Sequence, residues 1–198
     1  MANFQDLRKK AQGAIAGPIV PVLKKLGITP NILTTIGVLI NLAAAVVIGF
    51  GHVFWGGIIF LLAGLFDLLD GALARYLGQS TKFGAFYDSV SDRFTEGALY
   101  LSFIFIATGT TWPFSTTWQL VLIFLALIGS FLTSYLRARA EGLNIDCTVG
   151  LFTRVERVII LALGLLLNQV FIALAIVVVL SFVTVGQRFV HVWRQANK

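Results

Sequence analysis

From Phe54 to Arg75 the chain reads FWGGIIFLLAGLFDLLDGALAR. Its first part, Phe54 to Phe66, is apolar throughout, and the whole stretch has the length of about 20 residues that a helix needs to cross a hydrocarbon core. The stretch therefore predicts a transmembrane helix, yet its second part carries Asp67, Asp70 and Arg75. The next apolar stretch opens with Gly84-Ala85-Phe86-Tyr87-Asp88-Ser89-Val90-Ser91-Asp92 and adds two more carboxylates. An ionisable group in a bilayer costs about 2.5–3.5 kcal/mol even on the mildest scale, so acids retained in adjacent spans imply function.

Spacing says what kind. Asp67, Asp70, Gly71 and Ala74 fall at i, i+3, i+4 and i+7, and Gly84, Asp88 and Asp92 at i, i+4 and i+8, so each helix presents one acidic stripe. Two such stripes brought together form a cage of carboxylate oxygens whose charge a hard divalent cation, Mg²⁺ or Mn²⁺, neutralises. The small residues Gly71, Ala74 and Gly84 allow a helix or a phosphate-bearing ligand to approach the backbone. Arg75 can meet phosphate oxygens through its planar fork. A proton or cation pathway, or Asp–Arg pairs serving helix packing, would also place acids in spans. A pathway spreads them through the membrane depth, however, whereas these crowd toward one end beside Arg75 and Lys82.

Composition agrees with a membrane class. The 198 residues are 58% hydrophobic and 12% charged, with mean hydropathy +0.89, too little polar surface to cover a soluble globule. The expected fold is all-α: six transmembrane helices at about 31–50, 54–75, 85–108, 118–140, 151–167 and 170–190, preceded by an interfacial amphipathic helix within 1–28. One domain over 1–198 is expected, its bundle spanning 31–190. A signal peptide is not, because Pro18 and Pro21 interrupt the early apolar stretch and Lys24 and Lys25 follow it. Phe4, Leu7, Ile15, Ile19 and Leu23 interleaved with lysines read as the interfacial helix.

All fifteen Lys and Arg residues fall toward the termini or the second-to-third and fourth-to-fifth connections. The loops around Gly51–His52, Gly109–Thr117 and Asn168–Gln169 have none. The positive-inside rule then places both termini and the acidic site on the cytoplasmic side of the cell membrane. The net charge of +6 sits on that face, where anionic lipid, not nucleic acid, is the expected partner. Trp55, Trp112, Trp118 and Trp193 read as interfacial belts, and His52 and His191 as interfacial residues. Cys147 excludes an internal disulfide and reads as a bystander.

From Asp67 to Asp92 the chain resembles, without a departure, the CDP-alcohol phosphotransferase signature D-x2-D-G-x2-A-R-x8-G-x3-D-x3-D. The resemblance implies an enzyme with two Mg²⁺ or Mn²⁺ ions per site, held by Asp67, Asp70, Asp88 and Asp92, with Asp92 also the general base. It assigns Gly71, Arg75, Thr81 and the stretch Asn31, Ile32, Leu33, Thr34 to the CDP group, although Pro30-Asn31 also reads as a plain helix start. It implies the family's six-span plan, a homodimer, and a CDP-diacylglycerol or CDP-archaeol donor.

The acceptor alcohol must be chosen elsewhere. Arg137 and Arg139 end the fourth span, and Arg154 and Arg157 open the fifth. Clustered arginines suit phosphate, so a phosphorylated alcohol is favoured over free inositol, choline or serine. These segments and the late Gln187-Arg188 look like the phosphatidylinositol-phosphate synthase branch, which implies inositol 1-phosphate at Arg137, Arg139, Arg154, Arg157 and Arg188. Arg137 stands where lysine is common. The competing readings are topology-setting arginines paired with Glu141 and Glu156, a phosphatidylglycerophosphate synthase, and a non-enzymatic scaffold or cation carrier.

Overall fold

The computed structural model describes residues 17–78, 81–109 and 115–197. Phe4, Leu7 and Ile15 of the expected interfacial helix, the basic residues Arg8, Lys9, Lys10 and Lys198, and Trp112 lie outside them. The described residues form helices and connections, with no strand. Residues 17–25 are helical (α1), followed by α2 (Pro30–Gly49), α3 (Val53–Leu77), α4 (Lys82–Ala107), α5 (Thr116–Glu141), α6 (Arg154–Leu166) and α7 (Val170–Ala196).

Among the described residues, four helices, α2, α3, α5 and α7, are long and apolar enough to cross a membrane. α4 has the length, but its first fifteen residues carry Lys82, Asp88, Asp92, Arg93 and Glu96. α6 has 13 residues, about 20 Å, against the roughly 30 Å of a hydrocarbon core. The span expected over 151–167 is thus shorter as a helix: residues 151–153 are non-helical and α6 begins at Arg154. Large apolar side chains face outward, Phe50 at 79% exposure among them with Trp55, Phe124 and Trp193, a surface suited to lipid.

The chain divides into two compact units: residues up to Ala43 with Ile59–Thr95, and Ala44–Ile58 with the chain from Glu96 onward. In the first, α1 ends in a left-handed Gly27, with Ile28 N–H donating to the Leu23 carbonyl and Gly27 N–H to that of Lys24. Val20 of α1 then packs into a cluster with Leu33, Leu69 and Leu73. Thr29 caps α2, its hydroxyl accepting from Ile32 N–H at 3.4 Å, with Pro30 at the first helical position.

In the second unit, small residues bring helices together. A Cβ at Gly129 of α5 would stand 3.0 Å from Ser181 Cβ of α7, and one at Gly164 of α6 would collide with Ala173. The Tyr100 and Ser130 hydroxyls share a buried hydrogen bond of 2.8 Å, and Phe103, Ile123, Leu165, Leu174 and Val177 fill the core.

Candidate active site

The acidic stripes converge in the first unit. One carboxylate oxygen each from Asp67 and Asp70 of α3 and Asp88 of α4 lie within 4.8 Å of one another. Asp70 is buried, 6% exposed, and its Oδ2 accepts from the Thr34 hydroxyl at 2.7 Å. Three carboxylates so close repel one another strongly, and the all-oxygen donor set suits a hard divalent cation, so the residues fit the metal implied by the spacing. Asp92, one turn beyond Asp88 and 7% exposed, is not one of this trio; Arg93 Nη1 lies 3.1 Å from its Oδ2 and also donates to the Ser89 carbonyl.

Several residues read as CDP contacts also hold the site's walls. The Thr34 hydroxyl orients Asp70, with the Pro30 carbonyl 3.2 Å away. Thr81 caps α4, its hydroxyl accepting from Gly84 N–H at 2.9 Å. A Cβ at Gly84 would lie 3.0 Å from that hydroxyl oxygen and 3.3 Å from Asn31 Oδ1, so glycine keeps the start of α4 close to α2. Thr35, which sequence reasoning did not single out, shares a 2.9 Å hydrogen bond with Tyr87, beside Asp88. Leu33 is a core residue, Ile32 is exposed, and Arg75 is exposed with Nη1 3.4 Å from where a Cβ at Gly71 would stand.

The arginines belong to the second unit and differ sharply in setting. Arg137 is half exposed and pairs with Glu141 at 2.8 Å, one of the pairings weighed as topology-setting. The Glu156 carboxylate accepts from the Thr153 N–H at 2.7 Å and from the Thr153 hydroxyl, bracing the start of α6. Arg139 is exposed in the last turn of α5, and Arg154 is half-buried at the first turn of α6.

Arg157 and Arg188 are buried, at 2% and 4% exposure. Arg157 Nε and Nη2 donate to the Glu96 carboxylate at 3.0 and 3.3 Å, and Nη1 donates to the Thr133 hydroxyl at 3.0 Å. Arg188 Nε donates to the Val149 carbonyl at 2.9 Å and its Nη1 to that of Thr133. Sequence reasoning missed Glu96, although it continues the stripe Gly84, Asp88, Asp92 by one more turn.

The connection between α5 and α6 is stitched along one face of α7. Phe152 N–H donates to Thr184 Oγ1 at 3.1 Å, Leu151 N–H to Gln187 Oε1 at 3.0 Å, and His191 Nε2 lies 3.0 Å from the Asp146 carbonyl. Cys147 is enclosed there, and burial raises its thiol pKa, in keeping with a bystander.

The CDP-alcohol phosphatidyltransferase family model matches residues 27–186. Phosphatidylinositol phosphate synthase of Mycobacteroides abscessus is 34% identical over 190 residues, 92% of this chain and 85% of that protein. Archaetidylinositol phosphate synthase of Pyrococcus horikoshii is 40% identical over 167 residues, 84% of each. The crystal structure of Mycobacterium tuberculosis phosphatidylinositol phosphate synthase with CDP-DAG bound superposes with a TM-score of 0.79 at 30% identity, covering 91% of this chain and 94% of that one. The same enzyme in complex with manganese and citrate gives 0.80 at 29% identity, covering 89% and 88%.

Proposed function

Because this chain belongs to the CDP-alcohol phosphatidyltransferase family, a family of metal-dependent membrane enzymes, we propose that it transfers a phosphatidyl or archaetidyl group from a CDP-lipid to inositol 1-phosphate, releasing CMP. The observation that carries the acceptor assignment is the buried pair Arg157 and Arg188. Glu96 faces Arg157, whereas Arg188 donates to the Val149 and Thr133 backbone carbonyls, which carry no net charge. A buried guanidinium so placed favours an anionic ligand, and Arg137, Arg139 and Arg154 add positive charge at the neighbouring ends of α5 and α6. The names of the relatives support inositol phosphate as that anion.

Asp67, Asp70 and Asp88, with Asp92, are the residues that would hold two Mg²⁺ or Mn²⁺ ions. Such ions supply charge neutralisation on the diphosphate and polarise the phosphorus under attack. Asn31, Ile32, Leu33, Thr34, Gly71, Arg75 and Thr81 surround the CDP group; Arg75 meets its phosphate oxygens, and the Thr34 and Thr81 hydroxyls keep Asp70 and α4 in place. One oxygen of Asp92 takes the proton of the acceptor hydroxyl as that hydroxyl attacks the lipid-bearing phosphorus. The P–O bond to CMP breaks in the same in-line displacement, so no covalent enzyme intermediate forms.

In this reading α4 and α6 complete a six-span bundle, and α1 lies along the membrane interface as an amphipathic helix. Val20 and Leu23 turn to the core, and Lys24 lies over the Tyr76 ring at 5.6 Å. The enzyme is a homodimer of the cell membrane with its termini and site in the cytoplasm.

The test is mass spectrometry of the lipid made by purified protein from CDP-diacylglycerol and Mg²⁺, with inositol 1-phosphate, glycerol 3-phosphate or free inositol in separate tubes. Phosphatidylinositol phosphate in the first tube alone is expected. Product only with glycerol 3-phosphate would remove the inositol assignment, and product with free inositol would remove the phosphate role of the arginines.

A further inference from the structure

Glu96 lies outside the family signature, yet it anchors one end of a hydrogen-bonded chain through the second unit. Its carboxylate takes the side of the Arg157 guanidinium in a two-pronged contact, Nε to Oε1 and Nη2 to Oε2. The third bond of Arg157, from Nη1, ends on the Thr133 hydroxyl, which in turn donates to the Ser130 carbonyl at 2.7 Å. The carbonyl of the same Thr133 accepts Arg188 Nη1, and the other end of that guanidinium is held by Val149. Thr133 thus joins two arginines of different helices, one through its side chain and one through its backbone, and is 1% exposed.

We propose that Glu96 and Thr133 are positioning residues for acceptor recognition: Glu96 locks Arg157 onto Thr133, and Thr133 seats Arg188 against the α5–α6 connection. This rests on the reading of these arginines as the acceptor-phosphate site. A buried guanidinium left without its carboxylate must find another partner, so neutralising Glu96 releases Arg157 from Thr133 and loosens the seat of Arg188. The effect is on where the arginines stand, and it enters through acceptor binding.

The wild-type acceptor is established first, so that a phosphorylated alcohol other than inositol 1-phosphate leaves this test intact. Steady-state kinetics of purified Glu96→Gln, Glu96→Asp and Thr133→Val are then measured in detergent, varying acceptor and CDP-lipid separately. Thr133→Val keeps the branched shape and the carbonyl while removing the hydroxyl. In Glu96→Gln the acceptor KM is expected to rise roughly tenfold, with kcat and the CDP-lipid KM changing less than about twofold. Thr133→Val is expected to shift acceptor KM in the same direction, and Glu96→Asp, which keeps the charge, to recover part of the loss. Equal losses in all three constants would mark the network as merely structural. An unchanged acceptor KM in folded Thr133→Val and Glu96→Gln would overturn the proposal; if Glu96→Gln does not fold, Thr133→Val and Glu96→Asp decide it.

Discussion

Gly150→Ala probes the packing that seats Arg188. Gly150 has φ +132°, a region open to glycine and strained for any L side chain, at about 1–3 kcal/mol. A Cβ there would stand 2.6 Å from Thr184 Cγ2, 3.4 Å from Arg188 Nε and 3.6 Å from Arg188 Nη2. Overpacking of this kind costs about 1–3 kcal/mol. Turning Thr184 about χ1 relieves the methyl contact but moves the hydroxyl that accepts Phe152 N–H and donates to the Leu180 carbonyl, about 1 kcal/mol for each bond lost. Either route leads to a total of about 4 kcal/mol, which in a chain of this size lowers the midpoint of thermal unfolding by roughly 8–16 °C. Thermal unfolding of the purified variant in detergent measures this, and kinetics with varied acceptor measures the displacement of Arg188. A midpoint within about 2 °C of wild type together with an unaltered acceptor KM would refute both the strain argument and the coupling of Gly150 to Arg188.

Asp92→Asn keeps the shape of the side chain and removes the base, so turnover should fall by at least about 10²-fold with the unfolding midpoint little changed; wild-type turnover would take the role of base from Asp92. Thr34→Val deletes the 2.7 Å bond that orients Asp70 and should raise the Mg²⁺ concentration for half-maximal activity about tenfold, whereas an unaltered metal titration would show that Asp70 needs no such support. Arg75→Ala removes the guanidinium assigned to the diphosphate and should raise the CDP-lipid KM roughly tenfold while sparing the acceptor KM; the opposite pattern would put Arg75 on the wrong substrate.

The aspartates were legible because their relation is local. Asp67 and Asp70 share a helix face by covalent spacing alone, and the cost of burying charge in lipid makes their presence meaningful without a partner in view. The approach of Asp88 to that pair was an expectation from two stripes, and the structure brings the three together. The stripe itself did not say where its roles change: Asp92 pairs with Arg93, while Glu96, at the next step of the same spacing, faces Arg157. The span expected over 151–167 failed at its start for a related reason. Apolar Leu151 and Phe152 read as helix, but their N–H groups are taken by Gln187 and Thr184, side chains that are far away in sequence.

By itself the sequence determined what depends on neighbours along the chain: an all-helical membrane class, the acidic signature, the cluster of arginines and six expected spans, of which four stand as long apolar helices among the described residues. Apolar run length and helical period are properties of a covalent string, so they survive without the fold. Tertiary structure alone decided the partners. Thr34 serves Asp70, Thr81 caps α4, Arg137 is drawn to Glu141, and Arg157 and Arg188 are buried against Glu96 and Thr133. A hydroxyl or a guanidinium can satisfy its hydrogen bonds in many ways, and only the placement of distant helices selects one, because a buried polar group must bond to whatever packing brings within reach.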